Sequence, residues 1–209
     1  MRKLLTEFIG TFFLVFTIGM TVSQGVAMAP LAIGASLMIM VYLGGHVSGA
    51  HYNPAVSVAV FMRGKISVAE LIQYTIAQNL GAVAAAFLAY IIVGKAVGAA
   101  PAVGVSTMAA LLTEILYTFA LALVVLNVAV SAKTQGNSYY GLAIGFTITV
   151  AAFAGGGISG GAFNPAVGTG LNIVNTMTGG GGLSHIWIYW VGPLVGAALA
   201  AVVFGVQED

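Results

Sequence analysis

The sequence predicts an all-α membrane protein of six transmembrane helices and two re-entrant half-helices arranged as an inverted repeat. Three observations carry that prediction. Of 209 residues, 60% are apolar and 5% charged, whereas a soluble domain has about 25% charged residues with which to cover its surface. Residues 8–62 and 134–207 carry no charge at all. The chain also matches itself at a nearly constant offset, Asn and Pro included. A formal net charge of +1 and a mean hydropathy of +1.06 exclude a nucleic-acid binder and a disordered chain. With no Cys, disulfides and thiolate chemistry drop out as well.

The elements follow in order from the charge gaps, caps and breakers. A helix crosses the hydrocarbon core in about 20 residues, so each long uncharged run holds two spans and a remainder. The spans predicted are 4–26, 31–45, 71–93, 108–130, 140–155 and 185–204. The second and fifth look short and stop ahead of glycine-rich stretches. No cleavable signal is evident after Arg2 and Lys3, so the first span is expected to remain as an anchor. Arg2, Lys3, Arg63, Lys65 and Lys133 fall on one side of an even-spanning chain and Lys95 alone on the other. That bias places both termini in the cytoplasm, with the cell membrane as the expected location. Trp187, Trp190, Tyr139 and Tyr140 sit near span ends, as an interfacial belt would.

The repeat gives the organisation: one domain over 1–209, with halves of roughly 1–100 and 106–209. Leu4-Leu5-Thr6-Glu7 returns as Leu111-Leu112-Thr113-Glu114 at offset 107. Leu31-Ala32-Ile33-Gly34 returns as Leu142-Ala143-Ile144-Gly145, and Ser48-Gly49 and Asn53-Pro54-Ala55-Val56 as Ser159-Gly160 and Asn164-Pro165-Ala166-Val167, all at offset 111. Tyr74 and Gly81-Ala82 answer to Tyr189 and Gly196-Ala197 at offset 115. Three spans per half turn the second half upside down in the bilayer. Gly81 and Gly196, with Ala85 and Ala200 four residues on, read as small faces for close helix crossings.

Asn is a preferred helix N-cap and Pro a preferred first helical residue, so each Asn-Pro-Ala begins a helix, running over 56–62 and 167–174. Around ten residues reach only about half of a ~30 Å core. Non-helical backbone at that depth needs burial in protein or a watery cavity, which explains the glycine-rich approaches 44–49 and 155–161. Two half-helices meeting tip to tip put their positive dipole ends at the centre of a pore, a barrier to cations and protons. There the amides of Asn53 and Asn164 can donate to a passing oxygen while their own oxygens cap the helices.

On these motifs, on the Glu7 and Glu114 pair and on Gly45-His46-Val47-Ser48-Gly49, the chain resembles the aquaporin family of major intrinsic proteins over almost its whole length. Tyr189-Trp190 and Gly168, which stands where glycerol facilitators have Asp, look like the water-channel branch. The resemblance implies a right-handed helical bundle in membrane lipid, a homotetramer with one pore per subunit, and passive conduction of water or small uncharged solutes. It implies too that Glu7 and Glu114 brace the re-entrant loops; from position alone, Glu7 could instead reach the interface. His46 and His51 are expected at the cytoplasmic half of the pore, bracing the loop or making conduction pH-sensitive. His185 reads as interfacial.

Carried over by spacing, the four selectivity-filter positions are Ile33, Ala152, Gly161 and Val167, the last standing where the family usually has Arg. All are apolar or tiny. Without guanidinium and aromatic wall the mouth is expected to be wider and to admit ammonia, hydrogen peroxide, urea or glycerol beside water. A closed mouth is the opposite outcome, by dewetting or with Phe146, Phe153 or Phe163 filling the space. A secondary carrier, or a structural membrane protein with a closed pore, is the alternative function. Nothing gathers a nucleophile, base and orienting acid, or three metal ligands, so no enzyme, cofactor or metal is expected, and no nucleic-acid partner.

Overall fold

The computed structural model describes residues 1–208, and those residues form helices and connecting loops without strands. In chain order they are α1 (Arg2–Ser23), α2 (Ala29–Ser48), α3 (Pro54–Met62), α4 (Val68–Val93), α5 (Thr107–Val125), α6 (Tyr140–Ser159), α7 (Pro165–Met177) and α8 (Ile186–Glu208). Six are long and apolar enough to cross a bilayer, α5 together with a π-helical turn over Leu126–Val130 and α8 together with a 3-10 turn over Leu183–His185. α3 and α7 are the two short ones, with 9 and 13 residues.

Several boundaries differ from the sequence expectation, and the reasons are local. α2 and α6 do not stop ahead of their glycines but run through them for 20 residues each, to left-handed caps at Gly49 and Gly160. In an apolar medium an unmade backbone hydrogen bond costs more than glycine's weak helix propensity. α4 starts three residues earlier than expected because Ser67 and Glu70 form a reciprocal capping box. α7 continues beyond 174 to Met177, and α1 ends at Ser23 rather than 26.

The repeat is visible in the packing. α1 lies along α4 as α5 lies along α8, and α2 lies along α6 between the halves. These crossings are close because glycine sits at each. A Cβ on Gly81 of α4 would stand 2.5 Å from the Phe8 carbonyl of α1, and one on Gly196 of α8 would collide with the Ile115 carbonyl of α5. Between α2 and α6 the contact is reciprocal: a Cβ on Gly34 would meet the Gly145 oxygen at 2.5 Å, and a Cβ on Gly145 the Gly34 oxygen at the same distance. A carbon and a carbonyl oxygen so near repel strongly, so only glycine allows backbones this close.

Most of the charges collect at one end of the bundle, where α1 begins and α8 ends. Lys3 pairs with Glu70 at 2.8 Å, Lys133 donates to the carbonyls of Gln207 and Glu208, and the Arg63 guanidinium lies 5.5 Å from the centre of the Phe204 ring. Tyr139 and Trp187 are exposed, as belt residues are. Tyr140 instead packs edge-on against Tyr42, and Trp190 turns inward to donate to Thr169 at 2.9 Å.

Candidate functional site

The site is assembled by the two loops that lead into α3 and α7. Each begins at a left-handed glycine cap and twists through further left-handed residues, Ala50 and Tyr52 in the first loop, Gly161 and Phe163 in the second. For a residue with a Cβ this conformation costs about 1–2 kcal/mol. Buried carboxylates hold the turns in place. Glu7, fully buried, accepts from the backbone N–H groups of His51 (3.0 Å) and Tyr52 (2.7 Å), from Ser48 Oγ (2.6 Å) and from Gln78 Nε2 (2.8 Å). Glu114, equally buried, accepts from Ala162 N–H (3.1 Å), Phe163 N–H (2.6 Å) and Ser159 Oγ (2.7 Å). The interfacial reading of Glu7 is therefore wrong: its backbone and side-chain donors lie inside the bundle, and they repay its desolvation only there. The hydroxyls of Tyr74 and Tyr189 secure the same turns by donating to the carbonyls of Ser48 and Ser159.

These turns aim Asn53 and Asn164 at each other. Each side-chain oxygen caps its own helix, taking the N–H of Ala55 at 2.8 Å and of Ala166 at 2.9 Å, with Pro54 and Pro165 as first helical residues. Each amide nitrogen reaches across: Asn53 donates to the Phe163 carbonyl and Asn164 to the Tyr52 carbonyl, both at 2.9 Å. An amide nitrogen carries two hydrogens, so one on each Asn remains for another acceptor. The far end of α3 lies on the terminus-bearing face, beside the end of α8, and that of α7 lies against the α4–α5 loop near Gly98. The half-helices thus enter from opposite faces with their positive ends together.

Around the tips lies a cavity of about 200 Å³ that runs from Val22 and Pro30 at one end to His51 and Val125 at the other. Asn53, Asn164, Ile33, Ala152, Gly161 and Val167 all line it. Phe146 and Phe153 are about half exposed on the outer surface of α6 and cannot plug it. Phe163 does border the cavity, but its ring packs edge-on against Tyr117 and over Gly155.

On the terminus-bearing face the cavity shares His51 and Val125 with a vestibule of about 340 Å³, which Lys3 and Lys65 also line, and Ile144 with another of about 780 Å³. His51 is buried and hydrogen-bonds Ser57 through Nδ1. His46 differs from its expected partner role: it is exposed on the wall of the larger vestibule, with no loop-bracing bond among the described residues. His185 is half-buried in the turn before α8.

Sequence reasoning passed over Gln78, Ser57 and Tyr52 and treated Ser48, Ser159, Tyr74 and Tyr189 only as markers of the repeat or of the family resemblance. The signal lay in that recurrence: polar residues that return at the repeat offset in an apolar chain have a partner inside. Gln78 and Ser57 do not recur and gave no signal.

Comparison with known proteins agrees with this fold. The family described as major intrinsic protein matches residues 1–204. The chain is 37% identical to the glycerol uptake facilitator protein-like 6 of Lactiplantibacillus plantarum, over 96% of this chain and 95% of that one. It is 34% identical to aquaporin Z of Brucella melitensis, over 98% and 96%. Among solved structures, the aquaglyceroporin from Plasmodium falciparum superposes with a TM-score of 0.84 at 22% identity, covering 100% of this chain and 95% of that chain.

Proposed function

Because the chain belongs to the major intrinsic protein family, whose members are passive channels, we propose that it conducts water together with small neutral solutes such as ammonia, hydrogen peroxide, urea or glycerol, while excluding protons and ions. The observation that carries this reading is the meeting of Asn53 and Asn164 inside a cavity whose four mouth positions, Ile33, Ala152, Gly161 and Val167, hold neither charge nor aromatic ring. The free amide hydrogens bind an oxygen at the centre and orient it, which interrupts a proton-conducting chain of waters. Opposed helix dipoles raise the barrier to cations at the same point. A mouth without guanidinium offers no fixed charge and leaves room for solutes larger than water.

The five basic residues on the terminus-bearing face support an orientation with both termini cytoplasmic, in the cell membrane. The apolar outer surface, which includes Leu116, Val150 and Val202, leaves room for lipid and for the subunit contacts of a homotetramer.

Stopped-flow swelling of proteoliposomes under osmotic, urea and glycerol gradients tests the proposal. Solute fluxes linear in concentration and well above those of protein-free vesicles are expected. Saturating flux would mark a carrier, flux no greater than that of empty vesicles a closed structural protein, and passage of water alone would overturn the wide-mouth reading.

A further inference from the structure

We infer that Ser57, backed by Gln78, holds His51 in the tautomer protonated on Nδ1, so that a bare Nε2 is the acceptor offered to solutes between vestibule and cavity. His51 Nδ1 lies 3.0 Å from Ser57 Oγ. That hydroxyl also lies 3.1 Å from the Asn53 carbonyl and receives Gln78 Nε2 at 3.2 Å, and the same Gln78 nitrogen is anchored to Glu7.

A hydroxyl has one hydrogen and two lone pairs. With the hydrogen on the Asn53 carbonyl, the lone pairs take Gln78 and an Nδ1–H, and all three contacts are hydrogen bonds. Turned toward Nδ1, the hydrogen leaves the Asn53 contact unmade and nothing replaces it. The first arrangement makes one bond more, and the bond at one ring nitrogen decides the protonation of the other. The ring is further held edge-on against Tyr74, with 5.2 Å between ring centres. Ser57 is fully buried, whereas His51 borders both the cavity and the vestibule, and Nε2 has no hydrogen-bond partner among the described residues.

Nothing in the second half repeats this device. At the repeat offsets His51, Ser57 and Gln78 become Ala162, Gly168 and Pro193, so the second loop folds without it and the bond between His51 and Ser57 is not needed to form such a turn. A solute leaving the donors of Asn53 and Asn164 toward the terminus-bearing face meets an acceptor next. This step favours solutes with N–H or O–H groups over solutes that only accept. That consequence rests on the conduction reading; the tautomer does not.

The test is ¹⁵N NMR of the imidazole in the full-length reconstituted protein at a pH where the ring is neutral, with urea and dimethyl sulfoxide fluxes measured in parallel. Both solutes have four heavy atoms, but only urea donates. Wild type and Ser57→Thr are expected to show protonated Nδ1 and bare Nε2. Ser57→Gly, which copies the second half, should release the tautomer and lower the urea-to-dimethyl-sulfoxide flux ratio about two- to tenfold, the factor one neutral hydrogen bond supplies. His51→Ala should lower the ratio likewise. A wild-type spectrum with protonated Nε2, or an unchanged spectrum in Ser57→Gly, overturns the inference. A changed tautomer with an unchanged ratio overturns the selectivity role. Should no solute pass, the conduction reading fails while the spectra still decide the tautomer.

Discussion

Asn53 donates from Nδ2 to the carbonyl oxygen of Phe163, 110 residues away in sequence and 2.9 Å away in space. The backbone ahead of one half-helix thereby holds the tip of the other, and the Asn164 bond to Tyr52 returns the arrangement. Both carbonyls are available because Tyr52 and Phe163 take φ near +50 and +48. Loop strain, carboxylate bracing and the position of the amide donors form one linked structure.

The mouth should respond to charge. Val167→Arg places a guanidinium in the cavity wall where Val167 is now buried. An added barrier of about 1.4 kcal/mol slows passage about tenfold, so urea flux should fall by at least that factor while water flux falls less. Swelling assays on the parent and the variant measure it, and an unchanged urea-to-water ratio would remove Val167 from the filter.

The two carboxylates should differ in weight. Glu114→Gln turns an amide donor toward the N–H groups of Ala162 and Phe163 and leaves at least one unpaired, at a cost of about 1–3 kcal/mol. Glu7→Gln should cost more, since Gln78 Nε2 also points at Glu7. Thermal unfolding in detergent ranks them; a Glu114 variant less stable than the Glu7 variant contradicts the bond inventory.

Left-handed backbone gives an opposed pair. Ala50 sits at φ +52 where the second half has Gly161 at φ +64. Ala50→Gly should raise stability by up to about 1 kcal/mol, the relief of a left-handed Cβ less the entropy of an added glycine. Gly161→Ala should lower it, because its Cβ would also meet Gly156 Cα at 2.9 Å. Melting temperatures that move the same way in both variants would refute this account.

Close helix contact can be tested against an open glycine. Gly34→Ala forces a Cβ against the Gly145 carbonyl and should destabilise by about 1–3 kcal/mol. Gly157→Ala, with nothing within 4 Å of its Cβ, should be neutral or stabilise by up to about 1 kcal/mol through helix propensity. Equal losses from the two would show that α2 and α6 are not in contact there.

Much of this was readable along the chain. An apolar helix must reach about 20 residues to cross the core, so the spacing of eleven charges reveals the spans, and Asn-Pro-Ala reveals two helix starts because capping is a local matter of one side chain and the next N–H groups. The inverted repeat follows from offsets alone, and the resemblance, carried over by spacing, picks out Ile33, Ala152, Gly161 and Val167, which line the cavity. Tertiary structure decided what depends on groups distant in sequence. Glu7 is a brace rather than an interfacial residue because four donors from three segments converge on it, and His46 and His51, five residues apart, part company because Tyr74 of α4 packs against the ring of His51 while His46 faces the open vestibule. Sequence periodicity records which residues avoid water; which buried donor finds which acceptor is settled only when the helices pack.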